Sequence, residues 1–194
     1  MTTDYIPAET FLRLLETLMP QNALVLELCM ETGMRITDTL NMTLSEAEKM
    51  LAAPMEPCSY RYSERKTGKE RTVAISRDLL ERAVEQHCST SPWLFAGRDP
   101  KNHRTRQAVW KDLHRTAKLY RIKGQRIRAC VGPHTARKVF AVKLYNQALE
   151  EGVVDPLGAV KTNLNHSDPA VTYLYALADV ISEKKRRFRQ RKSS

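Results

Sequence analysis

Arg35, His134, Arg137, His166 and Tyr175 follow one another along the chain as two arginines, two histidines and a tyrosine. Together they are the parts needed to attack a phosphodiester without a metal. Tyr175 stands nine residues after His166, in the stretch Leu164-Asn165-His166-Ser167-Asp168-Pro169-Ala170-Val171-Thr172-Tyr173-Leu174-Tyr175. An unperturbed tyrosine has a pKa near 10, so forming its phenolate at pH 7 costs roughly 4 kcal/mol. The phosphodiester is itself negative and repels the nucleophile. Attack therefore needs positive, preorganised donors around the phosphate.

The elements that must position these residues read as mostly helical, with one small β component. Apolar residues at helical spacing (Phe11, Leu14, Leu15, Leu18) predict a helix from about Pro7 to Leu18. Asn22 to Thr32 is a nearly all-apolar helix, the expected centre of the core, stopped by Gly33. Arg35 follows that stop, and Ile36 to Met42 reads as another short helix. Cys58–Ser63 and Arg71–Ile75 alternate like strands around the turn Lys66-Thr67-Gly68-Lys69, which predicts a β-hairpin with a basic, mobile tip. Ser76 is placed to cap a helix from about Arg77 to His87. Pro92 to Asn102 reads as a loop, and Arg104 to Tyr120 as a helix with Trp110, Leu113, Ala117 and Tyr120 on one face. Arg121 to Arg128 reads as a basic loop. A helix from His134 to about Leu149 carries His134 and Arg137, and Glu150 to Pro156 reads as loop. Asp168 and Pro169 suit the cap and first position of a further helix, the one that carries Tyr175.

Charge narrows the partner. Among 194 residues, 32 Lys plus Arg against 22 Asp plus Glu leave a formal +10, an excess that points to a polyanion, either nucleic acid or an anionic membrane. No apolar run approaches the roughly 18 residues that cross a bilayer, and the N-terminus lacks the pattern of a signal peptide. Nucleic acid is favoured. Cys29, Cys58, Cys88 and Cys130 are widely spaced with no C-x-x-C pair, so a metal site is not expected and reduced thiols are.

The ordered set of motifs resembles the tyrosine recombinases, or phage-integrase family. Thr32-Gly33-Met34-Arg35-Ile36-Thr37-Asp38 looks like the first arginine box, Lys66-Thr67-Gly68-Lys69-Glu70-Arg71-Thr72-Val73 like the hairpin bearing the family's lysine, His134-Thr135-Ala136-Arg137 like the second box, and Leu164-Asn165-His166 followed by Tyr175 like the third. Asn165 stands where the family usually has glycine; an αL turn tolerates asparagine. The resemblance implies an α+β fold, mainly α: a helical catalytic domain with a small antiparallel β-hairpin over residues 1–180. No separate N-terminal core-binding domain is expected, and residues 181–194 form a basic tail.

It also implies roles. Arg35 and Arg137 would hold the two non-bridging oxygens, because a guanidinium fork matches phosphate geometry. His134 would accept the Tyr175 proton or hydrogen-bond the phosphate, His166 would donate to a phosphate oxygen, and Lys66 would protonate the leaving 5′-oxygen. The product would be a 3′-phosphotyrosine, formed without metal or other cofactor. Helical periodicity does not separate Tyr173 from Tyr175 as nucleophile; the family spacing favours Tyr175. Asp38 reads as structural, orienting an arginine.

Lys69, Arg104, Arg106, Lys111, Arg115, Lys118, Arg126 and Arg128 are the candidate DNA-binding residues. The expected partner is double-stranded DNA, bound by a tetramer on paired sites, with room for an accessory DNA-bending protein and no membrane. The implied activity is site-specific recombination (integrase, resolvase or invertase) in a prokaryotic or phage-encoded, cytoplasmic, nucleoid-associated protein. A type IB topoisomerase-like enzyme and a DNA-binding regulator of the same fold are the alternatives.

Overall fold

A computed structural model describes residues 4–87, 90–122, 125–126 and 130–164. The expectations for His166, Tyr173, Tyr175, Arg128 and the basic tail lie outside the described residues. Eight helices and four strands occur among the described residues: α1 (Ala8–Leu15), α2 (Pro20–Thr32), α3 (Ile36–Leu40), α4 (Leu44–Ala52), β1 (Cys58–Ser63), β2 (Glu70–Ile75), α5 (Arg77–Glu85), α6 (Arg106–Leu119), β3 (Arg121–Ile122), β4 (Gln125–Arg126), α7 (Pro133–Glu150) and α8 (Pro156–Leu164). The mainly helical α+β class expected from the sequence is the one found.

Helix α2 is apolar around most of its circumference because neighbours cover it on several sides. Leu24, Val25, Leu26, Leu28 and Cys29 are all buried, and α1, α3, α5, α6, α7 and β2 all pack on it. A helix hydrophobic all round belongs in the middle of a core. Cys29 is the extreme case: burial pushes its thiol up to about 12, the Thr39 hydroxyl only partly opposing. Strands β1 and β2 form an antiparallel hairpin that pairs Cys58 with Ile75 and Ser63 with Glu70. Its inward face alternates through Cys58, Tyr60, Arg71, Val73 and Ile75, the period of two that a half-buried strand requires.

Several boundaries differ from the sequence expectation, each for a local reason. Helix α4 was not foreseen, although Thr43 and Glu46 form a reciprocal capping box at its start, a signature legible in the sequence. Ser76 does occupy the first cap position of α5, but its hydroxyl and N–H both go to the Glu31 carboxylate, at 3.0 and 2.5 Å. Helix α6 starts at Arg106 rather than Arg104, because the Thr105 hydroxyl accepts the Ala108 N–H at 3.1 Å. Trp110 is not on the core face of α6. It is 43% exposed and stacks on His114 one turn later, while Val109, Asp112, Leu113, Thr116 and Ala117 face inward. The expected basic loop 121–128 contains a short antiparallel ribbon, Arg121 opposite Arg126. After the turn at residues 151–155 the chain forms α8, packed back on α7.

Gly33 is the hinge point of this arrangement. It has φ 66 and closes α2, its N–H donating to the Cys29 carbonyl. A Cβ here would run into the Phe140 ring of α7 and approach Leu164 of α8. The left-handed conformation costs a non-glycine residue about 1–2 kcal/mol, and overpacking adds about 1–3 kcal/mol. Gly33→Ala is therefore expected to lower stability by about 3 kcal/mol, or about 10 °C in Tm for a chain of this size, measured by thermal unfolding. An unchanged Tm would mean that α7 and α8 do not close on Gly33 as described.

Candidate active site

The turn at Gly33 leaves the end of α2 with outward-facing carbonyls, and two arginines collect them. From β2, Arg71 donates to the carbonyls of Thr32 (2.8 Å) and Gly33 (3.1 Å). From α7, Arg137 donates to the carbonyls of Gly33 (2.5 Å) and Leu164 (2.6 Å). A helix C-terminus carries partial negative charge and unsatisfied carbonyls, so it favours cations. Arg35 is two residues beyond Gly33, at the start of α3. One glycine carbonyl thus ties the first predicted arginine's turn to the second predicted arginine and to the hairpin.

Arg71 was not anticipated as a site residue. Its signal was present in the alternation of β2, where it shares the inward face with Val73 and Ile75. Glu64 was missed as well. Extending the β1 alternation through Cys58, Tyr60 and Tyr62 reaches it, and its side chain is fully buried with Oε2 2.6 Å from Arg35 Nη1. A buried carboxylate is costly unless paired. Burial works to raise the pKa of Glu64, but the hydrogen bonds from Arg35 and Thr67 and the charges of Arg35 and Arg137 outweigh it, and the net shift is downward.

Asp38 has a structural place, as expected, but its principal partner is not Arg35, whose Nη1 is 4.0 Å from Oδ2. Asp38 Oδ1 accepts the backbone N–H of Arg65 at 3.1 Å, and the Arg65 guanidinium donates to Asn41 Oδ1 at 2.7 Å. These bonds fasten the hairpin turn to α3. Burial raises the Asp38 pKa, the Arg65 N–H and the Arg35 charge opposing it. Lys66 and Lys69 are exposed on the turn, which Gly68 closes with φ 68 and an N–H to the Glu64 carbonyl.

His134 and Arg137 lie one turn apart at the start of α7, whose first turn is set by Pro133 and by a Thr135 hydroxyl that accepts the Gly132 N–H. That hydroxyl donates in turn to the Asp4 carbonyl at 3.1 Å. His134 keeps an exposed edge, yet its pKa is lowered, first by burial and then by the charges of Arg137, Arg106, Lys138 and Arg35. The same four cations make its neighbourhood a place where an anion is stabilised. Neutral imidazole is favoured there at pH 7, the form that accepts a proton. Arg35, Arg137 and His134, just over a hundred residues apart in sequence at the extremes, are thereby brought together, with Lys66 on the adjoining turn.

The proposed DNA-contacting residues divide. Arg106, Lys111, Arg115 and Lys118 are exposed on α6. Arg115 donates to Asp112 Oδ1 at 2.6 Å, and Asp112 Oδ2 in turn holds Asn22 and the Met19 N–H of α2. Arg104 turns inward instead: its terminal nitrogens donate to Asn22 Oδ1 and Gln21 Oε1. Arg126 lies in β4.

The model of the phage integrase family matches residues 5–180. The tyrosine recombinase XerD of Halalkalibacterium halodurans is 30% identical over 164 residues, 80% of this chain and 48% of the relative. XerD of Staphylococcus epidermidis is 30% identical over 160 residues, 78% and 48% of the two chains. The chain thus spans about half the length of the curated relatives it matches. Among solved structures, the Tn1549 transposon integrase in complex with a circular intermediate DNA superposes with a TM-score of 0.68 at 14% identity, over 96% of this chain and 66% of that one. The XerH site-specific recombinase bound to its difH substrate superposes with a TM-score of 0.64 at 19% identity, over 95% and 52%. With the family model covering nearly the whole chain, and the fold the one those recombinases share, the chain belongs to the phage integrase family.

Proposed function

We infer that the chain is the catalytic part of a site-specific DNA recombinase that breaks and rejoins DNA through a 3′-phosphotyrosyl intermediate. The observation that carries this reading is the convergence of Arg35, Arg137 and the cation-surrounded His134 at the end of α2. In this reading Arg35 and Arg137 hold the non-bridging oxygens of the scissile phosphate. Tyr175 Oη attacks phosphorus, its proton passing to His134, and the bond to the 5′-oxygen breaks. Lys66 gives that oxygen its proton and His166 donates to a phosphate oxygen. The reverse step, with a 5′-hydroxyl from another strand, restores the phosphodiester, so no net bond energy is consumed.

The exposed basic residues of α6 and the hairpin are the proposed track for DNA phosphates. Residues 1–180 are proposed as the catalytic domain and residues 181–194 as a basic tail. The working assembly is a tetramer on paired double-stranded sites, associated with the nucleoid of a prokaryotic cell, with an accessory bending protein where the site requires it.

The deciding experiment incubates the protein in EDTA with a nicked duplex from the DNA flanking its gene, then resolves it on a denaturing gel. A covalent protein–DNA band supports the reading. Salt-sensitive binding with no band on any flanking site would favour a DNA-binding regulator instead. Binding itself should be strongly electrostatic: if about six phosphates are neutralised, log affinity should fall with log salt with a slope of roughly −5. A flat salt dependence, measured by fluorescence anisotropy, would remove the basic track from the account.

A further inference from the structure

Glu64 has no part in the chemistry above, yet it is the most deeply buried charged side chain among the described residues, at 0% exposure. One of its oxygens does two things. Oε2 is 2.6 Å from Arg35 Nη1 and also accepts the Thr67 hydroxyl at 2.7 Å. The backbone of Glu64 closes the same turn. Its N–H donates to the Lys69 carbonyl at 2.9 Å, and its carbonyl accepts the N–H groups of Thr67 (3.2 Å) and Gly68 (2.7 Å). Lys66 therefore stands between two fastened neighbours: Arg65, held by Asp38 and Asn41, and Thr67, held by Glu64. The lysine side chain is exposed while the backbone on both sides of it is tied to the element that carries Arg35.

A carboxylate that only neutralised Arg35 would have no need of the hairpin hydroxyl, and a turn that only closed the hairpin would not bury a charge. We propose that Glu64 is a positioning residue: one carboxylate oxygen fixes the Arg35 guanidinium and, through Thr67, the turn bearing Lys66, so that the phosphate clamp and the leaving-group acid are set as one unit. This rests on the roles given to Arg35 and Lys66 in the proposed function. Catalytic groups misplaced by about 1 Å lose about a hundredfold in rate, so the shared anchor has a measurable consequence for the reaction.

The test compares rates of covalent adduct formation on two nicked duplexes, one with an ordinary scissile phosphate and one with sulfur in place of the bridging 5′-oxygen. A thiolate leaves without being protonated, so a defect in the leaving-group acid disappears on the sulfur substrate. Lys66→Ala serves as the reference for that behaviour. Thr67→Val removes the part-buried hydroxyl that reaches Glu64 and leaves both members of the Glu64–Arg35 pair in place. It should slow ordinary DNA by about tenfold and cleave the sulfur substrate at the wild-type rate. Glu64→Gln should slow ordinary DNA by about a hundredfold and recover about tenfold on sulfur, the remainder reflecting a loosened Arg35.

Thermal unfolding of each variant separates a folding defect from a positioning one, and Thr67→Val decides the matter if Glu64→Gln does not fold. Thr67→Val at the wild-type rate on ordinary DNA, or equal losses on both substrates, would overturn the coupling. A Lys66→Ala variant with undiminished cleavage would overturn it too, by removing the acid it positions. Absence of adduct with the unaltered protein on both substrates would instead be a failure of the proposed function itself.

Discussion

Tyr175→Phe is expected to lose the covalent DNA adduct completely, while binding duplex DNA within about twofold of the unaltered protein, since a single neutral hydroxyl contributes little beside the phosphate contacts of many basic residues. Tyr173→Phe should retain the adduct. The physical reason is absolute rather than incremental: a phenylalanine has no oxygen to form the phosphoester, so no rearrangement of donors around the phosphate can compensate. The comparison is made on one nicked duplex in EDTA, by denaturing gel for the adduct and by anisotropy for binding. Loss in Tyr173→Phe with retention in Tyr175→Phe would reassign the nucleophile. It would also show that the nine-residue step from His166 was misleading, because both tyrosines have apolar neighbours at helical spacing.

Arg137→Ala should be the most damaging single change within the described residues, because the side chain serves two needs at once. It is 2% exposed and bridges the Gly33 and Leu164 carbonyls, joining α2 and α8 through α7. Removing it takes the Leu164 carbonyl's donor, at about 1–3 kcal/mol, while the Gly33 carbonyl keeps Arg71. It also takes a compensating positive charge from beside Glu64 and Asp38. A destabilisation of about 3–5 kcal/mol is expected, the range for breaking a buried charge network. Loss of a preorganised donor at the phosphate should further reduce adduct formation by about a thousandfold.

Arg137→Lys separates the two effects. It keeps the charge and one donor nitrogen, so it should recover part of the stability. It still lacks the fork that spans two acceptors, so cleavage should stay down by about a hundredfold. Denaturant unfolding measures the first effect and single-turnover adduct formation the second. An Arg137→Lys protein that cleaves normally would mean that the residue's role is confined to holding the helices.

Three sets of tethers meet in the region around Arg137. Arg71 and Arg137 fix the end of α2, Asp38 and Asn41 hold Arg65, and Glu64 joins Arg35 to Thr67. The hairpin, read from sequence as carrying a mobile tip, is thus tied to α3 through Arg65 before Lys66 and to Arg35 by way of Thr67 and Glu64 after it. The tethers are polar side chains whose partners lie far away in the chain, 27 residues for Asp38 and 38 for Arg71 at Gly33, which is why alternation and turn signals alone describe the hairpin but not its attachment.

What the amino-acid sequence determined by itself was the local structure and the family. The apolar run before Gly33 fixed α2 as the centre, period-two alternation fixed the hairpin, and the ordered boxes around Arg35, Lys66, His134 and Arg137 fixed the family. These are signals of spacing along one element, and a single chain carries them openly. The capping box at Thr43 and Glu46 was equally local and was legible, though not read.

Only the tertiary structure decided which charges face each other. Arg104, Arg106 and Arg115 look alike in sequence, but Arg104 turns inward to Gln21 and Asn22 while the other two are exposed on α6. Glu64 and Glu70 flank the same turn, yet one is buried against Arg35 and the other pairs with Arg61 at the surface. The sense of a long polar side chain depends on what packs against it from distant segments, and that is set by how α2, α7 and the hairpin close on Gly33 rather than by any period along the chain.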